Sequence, residues 1–292
     1  MKFKKSISFL VFLIVILSLA VSVYGIFSNQ GSGEYEIKSF RGETVTIYGK
    51  GIYQNDSVTV VAQGIAQDIV NVIIGIPLLV ISLYLSRKGS LKGRLLLTGT
   101  LGYFLYTYIS YTFLWMYNPL FLVYVILMSA SFFSFTLSMM SFDMKKIGSA
   151  FSEKLPVKFI GGFQIFIAVT IGMLWLGKII PSLLNGRTPL GLEHYTTLVI
   201  QGMDLGFIVP TAFISGILIL KRKSFGYLLS SVIIIKGITM LTAITAMIIG
   251  QALAGIQMSF VEMTIFPLFN LVAIYAVYLL LKNINEKKVY RD

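Results

Sequence analysis

Eight long apolar stretches, separated by polar connections, dominate this chain of 292 residues. A helix needs about 20 apolar residues to cross the roughly 30 Å hydrocarbon core of a bilayer. Only 12% of the residues are charged, about half the share that is typical of soluble domains. The stretches are continuous rather than alternating, so the sequence predicts an all-α polytopic membrane helix bundle in a lipid bilayer. The predicted spans cover residues 6–27, 66–86, 95–116, 120–141, 159–180, 197–220, 225–250 and 258–281.

Basic residues return on alternate sides of these spans. Eighteen of the 24 Lys and Arg residues lie before the first span, after the last, or in the second, fourth and sixth connections. Because basic residues accumulate in cytoplasmic connections, we expect a multi-pass protein of the cell membrane with both termini in the cytoplasm. This arrangement accounts for the net charge of +12, so no nucleic-acid partner is expected. The remaining basic residues are Lys38, Arg41, Lys50, Lys178 and Arg187 on the outer side, and Lys236 inside a span.

The first span has two interpretations. Three lysines before a long apolar run resemble the start of a secretory signal peptide. The run is longer than the usual signal-peptide core, and the small-residue cleavage signal is poor. The pattern therefore favours an uncleaved first helix, and cleavage is the alternative.

Residues 28–65 form the longest connection and are expected outside the cell. The stretch 43–48 is rich in β-branched residues, and 49–51 supplies glycines for a turn. Residues 56–60 could be the partner strand, so the sequence predicts a small β-hairpin in this first outer loop.

Two halves, residues 1–144 and 145–292, share an order of features within one integral membrane domain, 1–292. In spans two and six, an amide and an acid near the outer end precede a proline, a serine and a basic cluster. Four spans in each half would give two parallel four-helix repeats around an axis normal to the membrane. The paired residues are Gln67, Asp68, Pro77 and Ser82 in span two, and Gln201, Asp204, Pro210 and Ser215 in span six.

Four ionisable side chains fall within or at the ends of spans: Asp68, Asp204, Glu262 and Lys236. A charge in hydrocarbon costs roughly 2.5–3.5 kcal/mol on insertion scales unless it is paired or hydrated. Lys236 should therefore find a partner, and Asp204, the deepest acid, is the best one.

Amides lie at the same depth as these acids, which predicts a polar cavity that opens outward between the halves. Such a cavity would bind a small molecule or an ion. The alternative is an interhelical network that locks the bundle. The amides are Gln67, Asn71 and Gln201.

Three aromatic or imidazole side chains each have two interpretations. Tyr106 and Tyr108 lie deep in span three and could line a pocket, although packing is the simpler interpretation, and both hydroxyls need partners. His194 is the only histidine and lies in an outer loop. It could respond to pH, but a solvated loop histidine is the simpler expectation.

The chain has no cysteine and one histidine, which excludes thiol chemistry, Cys–zinc sites and bis-histidine haem. No cofactor, metal or catalytic residue is predicted. The favoured function is a small-solute or ion-coupled transporter. The alternatives are a non-catalytic membrane sensor or complex subunit, an intramembrane lipid-modifying enzyme and, least favoured, a retinal protein that uses Lys236.

Overall fold

A computed structural model describes residues 2–258 and 260–286, except for the side chains of Val261 and Glu262. Within this part of the chain, eight long helices form a bundle, which confirms the predicted all-α membrane fold. Seven of them are long and apolar enough to cross a membrane. The helices are α1 (Lys4–Phe27), α2 (Val58–Arg87), α3 (Leu91–Phe113), α4 (Phe121–Met140), α5 (Val157–Leu184), α6 (Val199–Leu220), α7 (Ser224–Leu253) and α8 (Phe260–Lys282).

Helix α3 is the one that is not apolar enough to count among those seven. It carries many Thr, Ser, Tyr and Gly residues, and 15 of its 23 residues are buried. It packs against α2, α4 and α7, so its side chains face protein more than lipid. Polar side chains are tolerated in a membrane bundle when neighbouring helices supply their hydrogen bonds.

The two halves meet where α7 packs on α2 and α3. In the first half α1 packs on α2 and α4, and in the second α5 packs on α6 while α7 packs on α6 and α8. Where α3 crosses α7, a Cβ on Gly99 would lie 3.1 Å from the carbonyl oxygen of Val232. A glycine is needed there because the backbones approach closely.

The first loop contains the predicted small hairpin, but with a different partner strand. Strand β1 (Tyr35–Lys38) pairs antiparallel with β2 (Thr44–Ile47). The predicted partner, residues 56–60, instead begins α2, because the Ser57 side chain caps the helix by accepting a hydrogen bond from Val60 N at 3.3 Å. An N-terminal serine cap satisfies an amide that the helix leaves free. Residues 58–65 therefore belong to α2 and not to the loop.

The basic connections all lie at one end of the bundle, which we call the basic side. Lys4 Nζ donates to the carbonyl of Arg87 at 3.1 Å, and Arg222 donates to the carbonyl of Glu153 at 3.2 Å. The hairpin and the connection 185–198 lie together at the opposite end, the hairpin side, where Arg41 donates to the Tyr195 carbonyl at 2.5 Å.

The helical hairpins α2–α3 and α6–α7 have the same backbone features at residue numbers that differ by 133. Each contains a five-residue π-helical segment, Asn71–Gly75 in α2 and Asp204–Ile208 in α6. Each segment ends two residues before a proline, Pro77 or Pro210. In this register Asp204 corresponds to Asn71 and not to Asp68, so the acid-to-acid pairing expected from the sequence is wrong.

The turns between these helices also match. The amide of Ser90 donates to the carbonyl of Leu85, and the amide of Lys223 donates to the carbonyl of Leu218. The preceding turn residues, Gly89 and Arg222, both have positive φ, 94° and 51°. The two helical hairpins therefore have the same local backbone geometry, although their sequences differ at most positions.

Candidate functional site

The polar side chains inside the bundle form two groups. We call the first the sealed network, which consists of Gln67, Asp68, Asn71, Tyr103 and Tyr111 with their hydrogen-bond partners. We call the second the Asp204 site, which consists of Tyr106, Trp175, Asp204 and Lys236.

Asp68 is the centre of the sealed network and is fully buried. Its Oδ2 accepts from the Tyr53 hydroxyl at 2.5 Å, and its Oδ1 accepts from the Tyr111 hydroxyl at 3.0 Å. A Cβ on Gly25 of α1 would collide with Oδ2, so this glycine makes room for the carboxylate. One side chain therefore ties α2 to α3 and to the 3₁₀ turn Gly51–Tyr53 that precedes α2.

The amides of the first half belong to the same network. Gln67 Nε2 donates to the Tyr103 hydroxyl at 2.5 Å, and that hydroxyl donates to Asn71 Oδ1 at 2.7 Å. Gln67 is 3% exposed and Asn71 is completely buried. For these two amides the structure contradicts the outward cavity and agrees with the alternative, an interhelical network, because it seals them between helices as satisfied pairs.

Asp204 has a more open position in the second half. It is the first residue of the π-helical segment of α6 and is half-buried. Its Oδ1 accepts from the Tyr106 hydroxyl of α3 at 2.8 Å, and its Oδ2 accepts from Trp175 Nε1 of α5 at 2.9 Å. The carboxylate thus joins side chains from both halves of the chain.

Lys236 lies in the middle of α7 and is 7% exposed. Its Nζ is 3.9 Å from the centroid of the Tyr106 ring, a cation–π geometry. Asp204 attracts Lys236 electrostatically, but the hydrogen bonds of the carboxylate come from Tyr106 and Trp175. The direct pair expected from the sequence is therefore replaced by an arrangement in which Tyr106 contacts both charges.

The other two predicted site residues have different positions. Gln201 is half-buried in α6, one turn before Asp204. Glu262 lies in the first turns of α8, but its side chain is outside the described part of the structure. Among the described residues, no three His, Asp or Glu side chains are grouped so that they could hold a metal ion.

The π-helical segments free a backbone carbonyl beside each group. The amide of Val209 donates to the carbonyl of Asp204, five residues earlier, and Pro210 has no amide hydrogen. The carbonyl of Leu205 therefore loses its usual helical donor, the amide of Val209. In the first half, the carbonyl of Val72 loses the amide of Ile76 in the same way. Such segments occur often at functional sites.

Sequence reasoning missed Trp175 and undervalued Tyr106. Trp175 is half-buried and lies nine residues before the end of α5. The available signal was its indole N–H, which needs an acceptor where water is excluded. Tyr106 was recognised as deep, but nothing in the sequence names its partner on a helix about 100 residues away.

A group of hydrogen bonds joins the two halves on the hairpin side. We call it the latch, and its side chains are those of Arg41, Asp56, His194 and Tyr195. Arg41, in the turn between β1 and β2, donates to the carbonyls of Glu193 and Tyr195 at 2.7 and 2.5 Å. His194 Nε2 lies 3.0 Å from the carbonyl oxygen of Asn55. The histidine is only 9% exposed, so the expectation of a solvated loop histidine is wrong.

Asp56 is the buried acid of this latch. Its Oδ1 accepts from the Met116 amide at 3.0 Å and the Tyr195 hydroxyl at 3.1 Å. Its Oδ2 is buried without a hydrogen-bond partner among the described residues. Burial raises the pKa of Asp56 to about 7, although both hydrogen bonds oppose the shift. The burial of Tyr195 and the nearby charge of Asp56 also raise the pKa of the Tyr195 hydroxyl.

This pKa predicts that the latch is more stable in acid. The folded state binds the Asp56 proton more tightly than the unfolded chain, so stability falls as the pH rises from about 4 to about 7. Between pH 5 and pH 8.5 we expect Asp56 to remove roughly 2–3 kcal/mol of stability. Thermal unfolding of wild type and Asp56→Asn at both pH values checks this. A difference between the two proteins that stays constant with pH would contradict it.

The chemistry of the Asp204 site comes from an acid, an ammonium group, an indole and a phenol held between helices of both halves. An acid in such a place can exchange a proton or hold a cation. No family model, no curated protein and no solved structure matches this chain.

Proposed function

We propose that this multi-pass membrane protein is a small-solute or ion-coupled transporter, and that Asp204 is its ion-binding or protonatable group. The observation that carries the proposal is the position of Asp204. It lies in the membrane on a π-helical, proline-containing helix, between the halves, and it is less deeply buried than the sealed network. Transporters place their sites on interrupted helices at the interface of repeats.

The difference between the two halves supports a division of roles. The first half is stabilised by fully buried hydrogen bonds around Asp68 and Asn71. In the second half, Asp204 is half-buried, and its partners Tyr106 and Trp175 are each partly exposed. We therefore propose that residues 1–144 and 145–292 are parallel repeats, in which the first is a rigid scaffold and the second moves around the site.

The orientation is part of the proposal. The basic connections share one end of the bundle, and basic ends of membrane proteins face the cytoplasm. The protein would then lie in the cell membrane with both termini inside and the hairpin outside. In that orientation Asp204 lies nearer the outer end of α6 than the cytoplasmic end.

The test is ion movement in proteoliposomes. Wild type and Asp204→Asn are reconstituted with the pH dye pyranine inside and are exposed to steps of pH, sodium or ethylammonium. We expect wild type to change the internal pH faster than empty liposomes for at least one of these gradients. We expect Asp204→Asn to return the rate to that of empty liposomes while the helical content is unchanged.

Two results would contradict this proposal. Wild-type rates equal to those of empty liposomes under every gradient would remove the transport function for these ions. Normal rates in Asp204→Asn would remove Asp204 from the mechanism. Phe207→Leu, on the same helix with a side chain that is 71% exposed, serves as a control that leaves the carboxylate in place and should keep the wild-type rate.

A non-catalytic sensor or complex subunit is the second candidate. The latch between Arg41 and the 193–195 segment favours it, because this latch ties the two halves together and opposes their relative motion. A subunit of this kind would purify from native membranes with a stable protein partner and would move no ion in the liposome assay.

A further inference from the structure

We infer that the Asp204 site selects monovalent cations of the alkylammonium class, and that the Lys236 side chain is a tethered occupant of the cation position. The inference deepens the proposed function and rests on it for the physiological meaning of binding. The observation that carries it is that Tyr106 contacts both charges: the face of its ring lies 3.9 Å from Lys236 Nζ, and its hydroxyl donates to Asp204 Oδ1 at 2.8 Å.

The first step is the geometry of the cation position. The hydroxyl of Tyr106 orients Asp204 Oδ1 while the face of the same ring holds Lys236 Nζ at 3.9 Å. Trp175 Nε1 orients the second carboxylate oxygen at 2.9 Å. An aromatic face beside a negative charge recognises an organic cation, and the attraction grows when water is excluded.

The second step is the comparison with the other half. At residue numbers lower by 133, Asn71 stands in place of Asp204 and Tyr103 stands in place of Lys236. There the neutral phenol hydroxyl donates to the neutral amide oxygen at 2.7 Å. At these equivalent positions, an acid and a base are thus both present in the second half and both absent from the first. This pattern is expected if the ammonium group is there to neutralise the carboxylate.

The third step is access. Tyr106, Trp175 and Asp204 are each partly exposed, whereas Asn71 and Tyr103 are fully buried. Removing the Lys236 side chain would therefore leave the face of the Tyr106 ring and Asp204 open to a small amine, which would take the place of Nζ.

The test is chemical rescue of Lys236→Ala in detergent. We expect this variant to unfold at a lower temperature than wild type, because Asp204 loses its counter-charge. Ethylammonium chloride at about ten times its Kd should raise the Tm of the variant by roughly 3–5 °C. Tetramethylammonium chloride at equal concentration controls for ionic strength and should give a smaller rise, because its bulk does not fit the position of Nζ.

Two further variants make the result specific. Lys236→Ala combined with Asp204→Asn should show no rescue, because the carboxylate is gone. Asp204→Asn combined with Lys236→Tyr reproduces the residue types of the first half and should fold without responding to ethylammonium. Equal shifts in all variants, or no shift in Lys236→Ala, would overturn the inference.

If Lys236→Ala does not fold, Lys236→Gln keeps most of the side-chain volume and is measured in the same way. If neither folds, tryptophan fluorescence of wild type against Trp175→Phe reports binding, because Trp175 shares the carboxylate. A saturable change with ethylammonium in wild type alone supports the inference, and no such change overturns it. Rescue without ion flux would reject the transporter and keep the cation site, whereas flux without rescue would do the reverse.

Discussion

Replacing Asp68 by alanine is expected to lower the unfolding temperature by roughly 5–15 °C in detergent. The carboxylate accepts hydrogen bonds from the hydroxyls of Tyr53 and Tyr111, and it is fully buried. Each buried donor that loses its partner costs about 1–3 kcal/mol. The substitution also removes the hydrogen bonds by which this one side chain connects α2 to α3 and to the turn before α2.

Matched variants distinguish this network from a general loss of packing. Asp68→Asn keeps an acceptor oxygen and nearly the same volume, so it should lower the unfolding temperature by less than half as much as Asp68→Ala does. Tyr111→Phe removes one hydrogen bond and should cost about 1 kcal/mol. An Asp68→Ala protein that unfolds within 2 °C of wild type, as followed by circular dichroism, would show that the network contributes little.

Substituting Gly226 by alanine is expected to prevent normal packing of α6 against α7. A Cβ at this position would lie 2.5 Å from the amide nitrogen of Ile219 and 2.6 Å from the carbonyl oxygen of Leu218. Both are backbone atoms and cannot rotate away, so the helices must separate. Overpacking of this kind typically costs about 1–3 kcal/mol and occasionally more.

Two other glycines serve as controls for this prediction. Gly237→Ala lies in the same helix with nothing within 4 Å of the new carbon. It should be neutral or stabilising, because alanine favours helix by about 1 kcal/mol. Gly93→Ala should be as harmful as Gly226→Ala, since its Cβ would lie 2.7 Å from the Ser86 amide nitrogen. Thermal unfolding of the three variants decides the matter, and a stable Gly226→Ala protein would contradict the predicted clash.

The sequence predicted the bundle well because the relevant signals are local. Helix length, apolar content and the hairpin in the first loop follow from short stretches of residues. The grouping of basic residues at one end of the bundle was also visible, since each connection carries its own charges. The strand partner was wrong because the single hydroxyl of Ser57 starts a helix at that point.

The site was predicted only in outline. Asp204 and Lys236 were recognised because charges in a span are costly, and they do lie near each other. Asp68 was expected to match Asp204, yet it is sealed in a hydrogen-bond network, while Asn71 takes the equivalent position. Trp175 was not predicted at all, although it holds one oxygen of the carboxylate.

The sequence alone determined which segments are apolar enough to span a membrane, which connections are basic and where the prolines interrupt α2 and α6. Tertiary structure decided which side chains meet. One extra residue in a helical turn, as in a π-helical segment, rotates everything beyond it by about 100° around the helix axis. The hydropathy and charge of a segment do not change with such a rotation because they are sums along the chain. The hydrogen-bond partners of Asp68 and Asp204 do change, because a hydrogen bond requires two particular atoms within about 3 Å of each other.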